Sequence, residues 1–398
     1  MKKTRITKKF QLTAALILAW SFIVLTDVYG QSVIQKISPN INYTQREMGY
    51  NFIVMGDTRD VNPSESWENK NVKGWNKIVQ DVFHDVVKHL RDDASFALHT
   101  GDLVLKGCVE EDWDKFKKLI PSDFRETNKP KFLPALGNHE LYQESGEGDA
   151  LNNYSNTFPF LKDQEHGVYH NYYFVIDNSL FFTLCSGPIN NLKDFEHEDS
   201  TWNCKAYSYD TVMEQVGKIY DEYTYQGRRI DNIFIQYHKP SYSHSKHPPL
   251  DESNDPLTKL LEIKKDAPDL KIFVFNGHIH TTELYNPEDN VYVLVAGGGG
   301  APQKIMNKTW AKPSNEIFWK NLKETNKKSK RINYFRVFVD ANNDVEIREM
   351  CLYIYEEDGY IGFGEGLVIQ KDGKITDKQS PRAEVDIDRV IDLYEGRR

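Results

Sequence analysis

The sequence is short of cysteine, short of net charge and, beyond its N-terminus, without any apolar run long enough to cross a membrane. Four cysteines in 398 residues are too few to build a disulfide framework. None stands in a Cys-x-x-Cys pair, so buried or bridged cysteine is expected rather than a cysteine metal site. Cys185 and Cys204 flank a polar loop and are the expected bridge. A net charge of −9 lacks the basic excess that neutralising a nucleic-acid backbone requires, so no nucleic-acid face is expected. No internal repeat is present. A small phosphorylated molecule remains admissible, because a metal site brings its own positive charge.

Apolar residues make up 39% of the chain and aromatics 13%, enough for a large core. The N-terminus has three parts: a basic start (Lys2, Lys3, Arg5, Lys8, Lys9), an apolar run over 12–25, and compact residues before a cut after Gly30. That order is the pattern of a secretory signal peptide over residues 1–30. The protein is therefore expected to be exported (periplasmic, secreted or at the cell surface) and to carry no membrane span once the signal is cleaved. Residues 31–49 read as a polar N-terminal linker. Asn42, Asn153 and Asn307 stand in N-x-S/T triplets, which matter only in a glycosylating host.

Residues 51–55, 95–99 and 131–136 read as buried strands. Between the first two, Trp75, Ile78, Val79, Val82, Phe83, Val86, Val87 and Leu90 recur at helical spacing. Trp113, Phe116, Leu119 and Ile120 mark a second helix. Such alternation implies parallel strands joined by crossover helices. A hairpin is expected over 172–184, helices over 209–223 and around Leu257–Leu261, strands over 233–237, 270–275 and 291–295, and a late hairpin over 334–353. The Lys- and Asn-rich stretch 304–331 reads as a solvated loop or helix face.

Five short motifs each follow a strand directly. They are Gly56-Asp57-Thr58-Arg59, Gly101-Asp102-Leu103, Gly137-Asn138-His139-Glu140, His238-Lys239-Pro240 and Gly277-His278-Ile279-His280. In open α/β sheets the ligand site lies at the carboxyl ends of strands, so these motifs should converge. Carboxylate oxygen and imidazole nitrogen are the usual ligands for Zn, Mn or Fe, and a carboxylate can span two cations. Two ions about 3.5–4 Å apart can activate a water and clamp a phosphoryl oxygen.

The series resembles the calcineurin-like metallophosphoesterase family, which includes purple acid phosphatases, and the likeness covers about residues 50–300. The resemblance implies an α/β fold: a four-layer α/β/β/α sandwich of two mixed sheets, with residues 301–398 as an extension completing the sheet plus a tail. It implies an enzyme that hydrolyses a phosphorylated small-molecule substrate with two divalent or trivalent metal ions (Mn, Zn or Fe). Asp57 would bind the first metal, Asp102 would bridge both, Asn138, His238 and His278 would bind the second, and His280 would return to the first. His139 would stabilise the phosphate or protonate the leaving oxygen.

One departure stands out. Many members carry histidine two places after the first aspartate, where this chain has Arg59. Purple acid phosphatases supply a tyrosine three places after the bridging aspartate, where this chain has Leu105, so purple iron–tyrosinate chemistry is not expected. Arg59 cannot act as an ordinary ligand, but its planar fork suits phosphate oxygens and its charge would repel excess metal charge, and the first metal site is left with fewer protein ligands. The alternative is a salt bridge to Asp60 or another surface acid. A phosphomonoesterase is the first reading. A phosphodiesterase on nucleotides or lipid head groups and a non-catalytic surface-binding module of the same fold are the alternatives. Among the other residues, His84, His89 and His99 read as structural, His244 and His247 as surface loop, and Trp67, Tyr142 and Tyr154 as candidates to stack a base or sugar.

Overall fold

The computed structural model describes residues 34–39, 49–59, 75–126, 128–142, 147–163, 167–168, 170–186, 209–243, 248–301, 316–319, 332–355 and 360–377. The expected signal peptide, Asn42, Asp60, Trp67, Cys204, His244, His247 and Asn307 lie outside them. The described residues from Ile34 onward form one compact unit.

The strands, in chain order, are β1 (Gln35–Lys36), β2 (Tyr50–Met55), β3 (Ala97–His99), β4 (Phe132–Pro134), β5 (Lys162–Asp163), β6 (Gly167–Val168), β7 (Tyr172–Ile176), β8 (Ser179–Thr183), β9 (Asn232–Gln236), β10 (Lys271–Asn276), β11 (Thr282–Glu288), β12 (Val291–Ala296), β13 (Glu316–Trp319), β14 (Asn333–Val339), β15 (Val345–Tyr355), β16 (Tyr360–Ile369) and β17 (Ile375–Asp377). The helices are α1 (Trp75–Asp92), α2 (Glu110–Leu119), α3 (Ser122–Arg125), α4 (Ala150–Thr157), α5 (Tyr209–Tyr225) and α6 (Pro256–Asp266).

Two mixed sheets form the centre. One has the order β1-β7-β8-β9-β10-β12-β11-β13, the other β17-β16-β15-β14-β2-β3-β4. Every residue of β2, β9 and β12 is buried, so both faces of these strands are covered. The inner cover is the facing sheet. Phe52 on β2 meets Phe234 at 5.2 Å and Phe181 at 5.4 Å between ring centroids, both edge-on. Phe96 adds a stacked contact to Phe52 at 5.0 Å. Helices provide the outer cover, which makes the architecture the expected α/β/β/α sandwich. In α1 the buried residues Val79, Val82, Phe83, Val86 and Leu90 trace one helical face. His89 and Arg91 complement the helix dipole in its last turn. Helix α6 starts with Asp255 accepting the Leu257 N–H at 3.0 Å and Pro256 in the first turn.

Register places the chemistry. Strands β2, β3 and β4 run parallel with Met55 opposite His99 and His99 opposite Pro134. Strands β9 and β10 run parallel with Gln236 opposite Phe275. Each strand therefore ends level with its neighbour, just before one of the five motifs. Strand β14 pairs antiparallel with β2, and β15 to β17 continue that sheet. Within the stretch read as a solvated loop or helix face, residues 316–319 instead form β13, paired with β11. Beta-ladder pairing there overrides a Lys- and Asn-rich local composition.

Candidate metal centre

The strand ends are tied to one another by their own backbones. Asp57 N–H donates to the Gly101 carbonyl at 3.0 Å, and Gly277 N–H donates to the His238 carbonyl at 2.9 Å. Two glycines permit this closeness. Gly101 has φ +99°, and a Cβ there would lie 2.7 Å from His238 Nδ1. A Cβ on Gly277 would lie 2.5 Å from Asp57 Oδ2.

All six expected ligands gather here. Asp57, Asp102, His238 and His280 form a buried floor, with Asn138 and His278 half-buried above it. Ligand atoms of Asp57, Asp102 and His238 lie within 4.8 Å of one another. His238 Nε2 is 3.2 Å from Asp102 Oδ1 and 3.0 Å from Asn138 Oδ1. His278 Nδ1 is 3.0 Å from the same Asn138 oxygen and 3.3 Å from His238 Nε2. His280 Nε2 is 3.5 Å from Asp57 Oδ1.

These contacts are unlike an ordinary hydrogen-bond network. His238 Nδ1 lies 2.8 Å from the Thr100 carbonyl, which needs that nitrogen to carry the proton. Its Nε2 then offers a lone pair to a carboxylate oxygen and an amide oxygen, which offer lone pairs in return. Acceptors facing acceptors repel unless a cation stands among them. The donor set (carboxylate, amide oxygen, imidazole) fits a divalent metal.

The charges agree. Burial, then the neighbouring Asp102 carboxylate, push Asp57 well above the ordinary aspartate range. Burial opposes ionisation of Asp102 too; positive charge on His238 and His139, with that of Arg59, would hold it well below that range, but with both imidazoles neutral the countercharge left is the Arg59 cation. Two buried carboxylates with so little countercharge cannot both ionise at ordinary cost, and a divalent cation would remove that conflict.

Arg59 points into the centre, away from the surface. Its side chain is 9% exposed, with Nε 3.9 Å from Asp102 Oδ2. Among the described residues Nε has no hydrogen-bond partner, while Nη1 lies 3.4 Å from His139 Nδ1. That ring nitrogen is closer, at 2.6 Å, to the Leu105 carbonyl, so it donates there and leaves Nε2 toward the pocket, 3.9 Å from Asp102 Oδ2. Burial, then the Arg59 cation, lower His139 to about 4.

Glu140 and Asp255 were given no role from the sequence. Glu140, fully buried, accepts N–H groups from Asp102 (2.8 Å), Leu103 (2.6 Å), Val104 (3.2 Å) and Gly137 (2.8 Å). It thus locks the Asp102 turn to the Asn138 turn. Burial, then Asp102, push it up to about 8. The signal was its place directly after His139. Asp255 holds the loop that follows His238, accepting from Ser241 Oγ at 2.8 Å and Tyr237 Oη at 3.1 Å. His99, read as structural, accepts the Gly101 N–H at 3.2 Å and bonds Thr58 Oγ1 at 2.9 Å. Tyr154 is no stacking platform: it is 1% exposed, packed on Trp113 and Phe158, and donates to the Pro134 carbonyl at 3.1 Å. Helix α4 turns it into the core.

The sequence profile described as calcineurin-like phosphoesterase matches residues 22–282. The chain belongs to the calcineurin-like phosphoesterase family. It is, by that membership, a metal-dependent phosphoric ester hydrolase, and the family implies a site for two divalent metals. Among solved structures, this phosphoesterase is similar to the purple acid phosphatase PPD1 from yellow lupin (Lupinus luteus), at 15% identity and a TM-score of 0.48, over 82% of this chain and 52% of that one. It spans about half the length of the lupin enzyme. It is also similar to GAP50, the anchor in the inner membrane complex of Plasmodium, at 15% identity and a TM-score of 0.42, over 87% and 94% of the two chains. A dimetal phosphatase from Danio rerio aligns at 11% identity and a TM-score of 0.45, over 81% and 99%. No curated protein matches the phosphoesterase.

Proposed function

We propose that this phosphoesterase is an exported phosphomonoesterase. The observation that carries the reading is the meeting of Asp102 Oδ1, Asn138 Oδ1, His238 Nε2 and His278 Nδ1, at 3.0–3.3 Å contacts, beside a buried guanidinium with an unpartnered Nε. Asp57, Asp102 and His280 would hold one cation, and Asp102, Asn138, His238 and His278 the other. When bound, such ions supply a water nucleophile at neutral pH and neutralise charge on the phosphoryl group.

The remaining work falls to the protein. Arg59 offers its unpartnered Nε–H to a phosphoryl oxygen, as a fork that cannot lose its charge. Asn138 orients the phosphoryl group from the mouth. His139, fixed by the Leu105 carbonyl, turns Nε2 to the same space. A phosphate dianion entering between Arg59 and His139 offsets the cation that disfavours imidazolium, so His139 takes up a proton. A water that has released one proton to solvent bonds through its oxygen to phosphorus; as the P–O bond to the alcohol breaks, the His139 proton passes from Nε2 to the leaving alkoxide. A monoester dianion matches this fixed positive charge better than a diester anion does.

Two features support export: the signal pattern of residues 1–30 and the disulfide-bonded state of Cys185, which oxidising compartments maintain. No helix among the described residues is long and apolar enough to cross a membrane.

One preparation tests both parts. Protein recovered from outside the cytoplasm should begin at Gln31. With Mn²⁺ it should hydrolyse 4-nitrophenyl phosphate with kcat/KM about tenfold or more above that for the bis ester, a gap of about 1.4 kcal/mol. The reverse ratio would identify a diesterase. Binding of phosphorylated compounds without turnover, across Mn²⁺, Zn²⁺ and Fe²⁺, would sink catalysis in favour of a binding module. An intact N-terminus on cytoplasmic protein would end the export reading.

A further inference from the structure

We infer that the two cation positions of this centre are unequal, because Arg59 already places a fixed positive charge where the first cation would approach. The inference rests on the metal centre proposed above and concerns its loading. The position between Asn138, His238 and His278 has four lone-pair atoms converging from four residues, Asp102 included. Among the described residues, the other position has only Asp57, His280 and the far oxygen of Asp102. Both Asp57 oxygens already accept the His278 N–H, at 2.9 Å each. The far Asp102 oxygen has the Arg59 Nε 3.9 Å away.

Arg59 cannot relieve this by losing a proton or by leaving easily. Guanidinium stays charged in proteins, and this one is buried to 8% exposure with its Nε aimed inward. A divalent ion settling against the same carboxylate is repelled across a short, poorly solvated distance. Among the described residues, no further His, Cys, Asp or Glu side chain joins the Asp57–Asp102–His238 cluster in place of the histidine that Arg59 displaces. At Leu105 the carbonyl is engaged by His139 and the side chain is aliphatic. One cation therefore binds tightly, and Arg59 does part of the second cation's electrostatic work permanently.

The experiment is Mn²⁺ binding to the full chain by equilibrium dialysis, with electron paramagnetic resonance at each loading. Wild type should bind one Mn²⁺ tightly, with the spectrum of an isolated ion. The second should bind about 100-fold or more weaker. Arg59→Met, close in volume and uncharged, should tighten the second ion at least about tenfold and give spin-coupled Mn²⁺ at lower concentration. Arg59→Lys keeps the charge and should keep the gap. Arg59→His should bring the two affinities closest together. Two wild-type affinities within tenfold, or a gap unchanged in Arg59→Met, overturn the inference while leaving the metal centre standing. No Mn²⁺ bound by wild type or by any variant overturns both. Circular dichroism of each variant confirms that it is folded, and Arg59→Lys carries the comparison if Arg59→Met is not.

Discussion

Two sets of turns in this molecule hold side-chain-bearing residues at positive φ, and they differ in kind. In the hairpins β7–β8, β11–β12 and β14–β15 the residues are Asp177 (φ 50°), Asn290 (62°) and Asn343 (64°). Aspartate and asparagine reach the left-handed region at little cost, because their short polar side chains bond locally. At the strand ends the residues are Asp57 (56°), Asp102 (59°), His278 (72°) and His280 (50°). The histidines have no such compensation, and the left-handed conformation costs roughly 1–2 kcal/mol per residue. The hairpins use what their turns prefer. Asp57 and Asp102 suit their turns as the hairpin residues do, but at His278 and His280 the metal centre puts ligand-bearing residues into turns that suit them less well, and the surrounding packing must hold them.

Acid should separate the two sets most strongly. Burial lowers His99 to about 3, so it is neutral in the folded protein, while an unfolded histidine titrates near 6.5. Between those values the folded state binds fewer protons, so the contribution is complete above about pH 6.5 and fades as pH falls toward 3. The slope is on the order of 1.4 kcal/mol per pH unit, or roughly 3 kcal/mol by pH 4.5. His139 and His170, each lowered to about 4 by burial first, act with the same sign. His99→Gln should flatten part of the acid limb of a stability–pH curve. Amide exchange should quicken at Gly101 before it does at Asn343. Parallel curves for mutant and wild type would break the contrast.

Next in size is Glu140→Gln. Above about pH 8, where Glu140 is ionised, an amide in place of the carboxylate turns donor toward donor among four N–H groups, at about 2 kcal/mol. Mn²⁺ affinity should drop about 10–100-fold. Unchanged melting and metal binding would show that the strand ends need no such clamp.

Much of this was legible in advance, for a reason. Strands β2, β9, β10 and β12 are buried apolar runs and α1 carries one apolar face, so local pattern and tertiary role coincide. The expected ligands followed strands directly, and parallel topology brings strand ends together whatever the intervening sequence. Elsewhere the pattern was silent. Strand β11 carries Pro287 next to its last residue, Glu288, β16 carries glycines, and β13 lies in a Lys- and Asn-rich stretch. Their pairing partners define them. Glu140 accepts from turns that only tertiary folding brings near. The direction of Arg59 was open between phosphate and a surface acid, because it depends on which neighbour shares its burial.

The smallest expected effect is the most direct measure of the strain. His278→Gly removes the conformational cost at φ 72° but adds backbone entropy to the unfolded chain. The metal-free protein should gain up to about 1 kcal/mol by denaturant melting while Mn²⁺ binding collapses. Asn343→Gly should change stability by only a few tenths of a kcal/mol, roughly. Equal shifts in the two variants would show that the strand ends are no more strained than the hairpins.

The pairing of β2 with β14 sets a timetable. Phe338 lies opposite Asn51, so the strand that delivers Asp57 receives its second neighbour only after nearly the whole chain has been made. Until then β2 is a bare edge of apolar residues, open to mispairing, and the loop that must close is the longest in that sheet. The pocket thus belongs to the last stage of assembly. A nascent or threading chain can carry every ligand of the centre and still have no finished place to put a metal.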